Sequence, residues 1–385
     1  MPERLPSNDY PLGSNEHTAY QSCLVLEGLG SSWGVVISNL EKEASEAVMF
    51  KFSPQVAARV LGYALRHSPS VEGKAHLVQE ILNCNNNGEL LAGLSYLYVM
   101  GMIRVFKNPK GSVLTSLSSH SSRASFRATA DNIAAALAQP TVSSSKAKDL
   151  ALARDNHRCI VSGIVDLVSY EEDPMRFNEA PEVTAGTTSL GHIFGQSIMD
   201  HTAGMTRAAR AKVRLPPYEC SIIRSQFACQ MEWATTAAAV IERFAGIPIL
   251  EEFNQNDIHR PENTFTIADG LHPAFDRLSF SLCPIDDDNN TYEIHTHPPN
   301  RNATYRLPNR VTLTDATNGK IPLPDRRYFQ LHHACATIAH LSGAGEVVEQ
   351  LFRDMEDIKV LAEDGGSNHL LSLALSSRLQ ALSVY

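Results

Sequence analysis

The chain has 385 residues, 43% hydrophobic and 19% charged, the balance of a globular protein long enough to bury a large core in roughly two domains. Its net charge of −9 weighs against strong non-specific DNA binding, which draws on Lys and Arg neutralising phosphates, while leaving room for a local basic patch. No run of about 18 apolar residues offers a membrane span, and the polar first 20 residues lack an apolar signal segment, so an intracellular setting, cytoplasmic or nuclear, is expected and no membrane partner.

Residues 1–20 read as a flexible start, and 21–145 as an N-terminal helical region. Ser53-Pro54 opens a helix, with Ser as the N-cap and Pro at the first helical position, and Val56, Val60, Leu61, Ala64 and Leu65 recur at helical spacing. Asn85-Asn86-Asn87-Gly88 is a stop and turn. Leu90, Leu91, Leu94, Leu97 and Tyr98 begin another helix, which is expected to end near Gly101, with Ile103-Arg104-Val105-Phe106 extended. The seven serines within 111–125 read as a loop or linker, and a further helix is expected near Asp131.

A short helix over Asp149–Asn156 leads into Arg158–Gly163, read as a strand ending in a turn. Residues 201–248 read as a helical insertion within a domain spanning 146–320. Its basic run, Arg207, Arg210, Lys212 and Arg214, either contacts nucleic-acid phosphates or forms a solvated face. The helix through Trp233 reads as core rather than as a base-stacking platform. Residues 279–297 read as a β-hairpin, with Phe280 and Leu282 on one strand facing with Tyr292 and Ile294 on the other. His295 and His297 share a face of that hairpin, as metal ligands or as an exposed strand end. A C-terminal helical cap is expected over 321–385: Asp325 caps its first helix, and Leu331, Ala334, Cys335, Ile338 and Leu341 form its apolar stripe. His332-His333 lies on that helix without recognisable ligand spacing.

The seven cysteines are scattered, odd in number, and form no Cys-x-x-Cys pair. Disulfides and a four-ligand structural zinc site are therefore not expected, and Cys159 reads as a small buried apolar residue.

Four short motifs follow one another in order. They are Arg154-Asp155 with Cys159-Ile160-Val161-Ser162-Gly163, then Gly191-His192-Ile193, then Pro261-Glu262-Asn263, then His272-Pro273-Ala274-Phe275-Asp276. Together they resemble the HNH-endonuclease domain found in many fungal proteins, over roughly residues 145–300. The resemblance implies an α+β, mainly helical fold, built on a ββα-metal core with the helical insertion and the helical N- and C-terminal regions around it. It implies a metal-dependent phosphodiester hydrolase acting on nucleic acid. His192 would be the general base, a role that neutral imidazole suits near physiological pH. Asn263 would tie down the loop that orients His192. His272 and Asp276, four residues apart on one helical face, would bind Mg²⁺, Mn²⁺ or Zn²⁺.

The sequence departs from the family pattern where Gly191 precedes the base, because many HNH enzymes carry a metal-binding Asp or His there. Asn263 also follows His192 by 71 positions, more than in compact HNH domains. These departures, with the acidic net charge, frame a second reading: an HNH-like fold reused for acid/base chemistry, a cyclisation or isomerisation, on a small-molecule substrate in a fungal biosynthetic pathway. A catalytically silent interaction module is a third.

Overall fold

The computed structural model describes residues 2–30, 53–107, 143–177, 183–195, 237–253, 257–285 and 290–357. The protein is α+β and mainly helical, with small sheets. Among the described residues no helix is long and apolar enough to cross a membrane. The serine-rich stretch 111–125, the helix expected near Asp131, the basic residues Arg207, Arg210, Lys212 and Arg214, and Trp233 lie outside the described residues. The chain divides into two compact units, one within Met1–Lys107, Asp200–Glu252 and Thr337–Tyr385, the other within Asn108–Met199 and Phe253–Ala336. The residues of the four motifs lie in the second unit, and the boundary between Ala336 and Thr337 falls within the region expected as a C-terminal cap over 321–385, which is therefore divided between the two.

The first unit is built from capped helices. Ser14, Ser53 and Ser70 each accept a hydrogen bond from a backbone N–H in the first turn, opening Asn15–Gly28, Pro54–Arg66 and Val71–Asn83. Asn85 and Asn86 take positive φ at the turn into Gly88–Tyr98. The stretch expected to be a flexible start is packed instead. Leu5 is buried, and the Tyr20 and Tyr63 hydroxyls donate to the carbonyls of Pro6 and Arg4 at 2.9 and 2.8 Å. Its polar composition concealed this, because the anchoring groups are mainly backbone carbonyls.

The helix expected to stop at Gly101 continues as a π-helical turn, Val99–Ile103, and a short helix, Arg104–Phe106. A Cβ at Gly101 would lie 2.9 Å from Val240 Cγ2, so the glycine serves a close approach to helical residues 237–245 rather than a stop. Residues 103–106 are accordingly helical, not extended; Ile103, Val105 and Phe106 are buried.

Among the described residues, the helix Ser144–Arg154 comes first in the second unit. Arg158–Gly163 is a bridge residue followed by a turn, closed by Cys159 N–H to Ile164 O at 2.8 Å, where a strand was expected. Strand β1 (Val165–Asp166) runs parallel to β2 (Ala185–Gly186). Strand β3 (Thr188–His192) pairs antiparallel with β4 (Thr264–Ala268), and the short helix His272–Asp276 follows. Strands β5 (Phe280–Pro284), β6 (Thr291–Thr296) and β7 (Arg310–Thr312) form an antiparallel sheet in that order. The hairpin buries Phe280, Leu282, Tyr292 and Ile294 on one face, as their alternation predicts. Asp325 accepts from Arg327 N–H at 2.8 Å and opens the helix Arg326–Ser342.

Every residue of β4 is buried, and its Phe265 ring packs edge-on against Phe275 of the following helix, 5.1 Å between centroids. Arg154 and Asp155 fasten this layer. Arg154 is fully buried, forks onto the Asp155 carboxylate at 2.7 and 3.1 Å, and donates to the carbonyls of Pro261, Thr264 and Pro322. Asp155 in turn accepts from Thr266 N–H at 2.8 Å. One ion pair thus fixes the end of the first helix to β4 and to the turn that carries Asn263.

Candidate functional site

His192 is the last residue of β3, paired in register with Thr264, the first residue of β4. Strand pairing fixes the backbone before it, and Asn263 fixes the backbone after it. The Asn263 side chain is fully buried; its Nδ2 donates to Ile258 O at 2.8 Å and Phe194 O at 3.1 Å, and its Oδ1 accepts from Phe194 N–H at 2.8 Å. The Asn263 carbonyl also accepts from Ile193 N–H at 2.9 Å. The two residues after His192 are thereby pinned to the start of β4 across the long sequence gap.

The His192 ring meets a second imidazole: its Nε2 is 2.9 Å from His259 Nδ1. One ring donates and the other accepts. If His192 Nε2–H donates, its Nδ1 keeps a lone pair. Burial, then the neighbouring His259 and His272, pushes the His192 pKa down to about 3, so the ring is neutral at physiological pH.

His272 begins the helix that follows β4. Its Nδ1 is 2.8 Å from Ser189 Oγ on β3, and its Nε2 is 3.6 Å from Asp276 Oδ1 one helical turn on. Both side chains are about one-fifth exposed, at 20% and 23%. Burial raises the Asp276 pKa, opposed by His272 and then Arg277. Their separation lets His272 Nε2 and Asp276 Oδ1 share one cation, and the Ser189 hydroxyl steadies the ring from its far side, as outer-shell groups do around metal-binding histidines. Among the described residues this pair leaves the other positions to water and substrate oxygens, which suits Mg²⁺ or Mn²⁺ better than a closed zinc site.

Gly191 supplies no ligand, and the packing around it shows why. Strand alternation puts it on the face of β3 that carries Ser189, the residue bonded to His272. A Cβ there would sit 2.8 Å from the Phe265 ring and 3.2 Å from Ile267 Cγ2. The space a ligand at position 191 would occupy is filled by the hydrophobic core.

A second group of possible ligands lies in the same unit: the donor atoms of Cys283, His295 and His333 are all within 4.8 Å of one another, close enough to hold a divalent ion. The sequence marked His295 and His297 as sharing a face, but it gave no sign of Cys283 or His333 beside them. Those two become visible only once the hairpin register and the helix placement are known. His259 and Ser189 were missed for the same reason, since neither stands at a recognisable spacing from His192 or His272.

No family model, no curated protein and no solved structure matches the chain.

Proposed function

We propose that the protein is an HNH-like, metal-dependent phosphodiester hydrolase acting on nucleic acid, with β3, β4 and the helix His272–Asp276 as its ββα core. The observation that carries this reading is the arrangement of two antiparallel strands and a following helix, with His192 at the strand end, buried Asn263 holding the loop after it, and His272 beside Asp276 on the helix. Asn263 positions; it does not meet the reacting atoms. His192, donating through Nε2 to His259, takes the proton of the attacking water at Nδ1. A ring pushed down to about 3 is a weak base in the free protein, and a phosphodiester anion beside it favours the imidazolium, so basicity rises as substrate binds. A divalent ion held by His272 and Asp276 would stabilise charge on the phosphoryl and leaving oxygens.

A second reading rests on the His192–His259 contact and the filled space at Gly191. Two bonded imidazoles, with no ligand from position 191, suit proton shuttling on a small molecule, with no hydrolysis.

The test is cleavage of plasmid DNA and of single-stranded RNA by the full chain with Mg²⁺ or Mn²⁺. Cleavage is expected in the wild type and lost in both His192→Ala and His272→Ala. No cleavage by the wild type, or wild-type rates in His192→Ala, would overturn the hydrolase assignment.

A further inference from the structure

The β5–β6 hairpin has two chemically different faces. One buries Phe280, Leu282, Tyr292 and Ile294. On the other, the register pairs Ser281 with His295 and Cys283 with Glu293, so four polar or ligating side chains share one surface. The helix Arg326–Ser342 adds His333 to them, its ring centroid 4.8 Å from that of His295.

We propose that Cys283, His295 and His333 form a zinc site, with water in the fourth position, that staples the β5–β6 hairpin to the start of the helix Arg326–Ser342. The donor set selects the metal. One thiolate and two imidazoles suit zinc, a borderline-soft ion, and offer no protein oxygen to the hard cations Mg²⁺ and Ca²⁺, which favour oxygen donors. The Cys283 thiol releases its proton to solvent on binding.

The surrounding groups are placed to orient the ligands. Ser281, fully buried, puts its hydroxyl 2.9 Å from His333 Nδ1 and 3.1 Å from His297 Nε2. His333 therefore binds through Nε2. Glu293 Oε2 lies 3.2 Å from His295 Nε2, so His295 binds through Nδ1 while its other nitrogen donates to the carboxylate. Such a carboxylate–histidine–metal relay fixes both tautomer and ring orientation.

The distances close readily. Tetrahedral zinc holds nitrogen and sulfur ligands about 3.3–3.6 Å apart. The three donors lie within 4.8 Å, and all three side chains are partly exposed, so they have room to contract and solvent can deliver the ion. The scattered cysteines gave no reason to expect zinc; the register assembles a three-ligand site from one of them.

Cobalt is the probe, because a thiolate ligand gives Co²⁺ a near-ultraviolet charge-transfer band and oxygen or imidazole ligands do not. The full chain, stripped with chelator, is titrated with Co²⁺ and then with Zn²⁺, and circular dichroism confirms that each variant is folded. One equivalent of Co²⁺ is expected to produce the band, and Zn²⁺ to abolish it. Cys283→Ser should lose the band, and His333→Ala and His295→Ala should each weaken binding by more than about tenfold. His272→Ala should keep the band, which separates this site from the His272–Asp276 pair and from the hydrolase reading. Absence of the band in the wild type, or its persistence in Cys283→Ser, would overturn the proposal.

Discussion

Arg154 offers the sharpest test of how this fold holds its candidate site. Arg154→Met keeps the length of the side chain and removes its charge. It strands the Asp155 carboxylate, whose side chain is 2% exposed, with Thr266 N–H as its remaining hydrogen bond among the described residues. It also removes the donors to Pro261, Thr264 and Pro322. Breaking a buried ion pair from one side costs about 3–5 kcal/mol, because the remaining charge stays buried and uncompensated. The chain has two compact units, so a whole-chain melt does not isolate the affected region. Hydrogen exchange over peptides within 260–268 does. Exchange there should accelerate roughly a hundred- to several-thousand-fold, at about 1.4 kcal/mol per factor of ten. Adding Asp155→Asn removes the stranded charge, and the double variant should be more protected than Arg154→Met alone. Protection in Arg154→Met within about fivefold of wild type would refute the argument, as would a double variant that loses the full sum of the two single effects.

Two further outcomes follow from the packing and from burial. Gly191→Ala should destabilise the protein by about 1–3 kcal/mol, because the new methyl meets the Phe265 ring at 2.8 Å inside a filled core; an unchanged hydrogen-exchange profile across β3 and β4 would contradict that. His67 is held below its usual pKa by burial, then by Arg66 and Lys74. As pH falls the unfolded chain takes up this proton first, so the stability that comes from the neutral ring is present above about pH 6.5 and lost below it. Hydrogen exchange over Pro54–Arg66, compared at about pH 7.5 and about pH 5.5 relative to intrinsic exchange rates, should lose more protection in the wild type than in His67→Gln, and equal losses would exclude the linkage.

What the sequence made legible is local. Ser53-Pro54 caps a helix because both signals lie within one turn. The hairpin faces follow from a period of two. The buried positions Leu331, Ala334, Cys335 and Ile338 follow from a helical period. What it concealed is contact between distant segments. Leu5 is buried although its neighbours are polar, and Gly101 yields to Val240 rather than ending a helix. The Arg158–Gly163 stretch has strand composition but bridges only at Arg158, to Val165, and then turns.

The candidate site divides along the same line. Asp276 lies four residues after His272, and that spacing alone predicts the shared helical face on which the two side chains meet. The groups that would set the chemistry of His192 and His272 come from elsewhere: His259 on one imidazole, Ser189 on the other. Gly191 shows the difference most clearly. In the sequence it reads as a missing ligand; in the structure, Phe265 and Ile267 occupy the place where any side chain would begin. Replacing Gly191 with Asp would therefore clash with the core before it could supply a ligand, so position 191 of β3 adds none to His272 and Asp276.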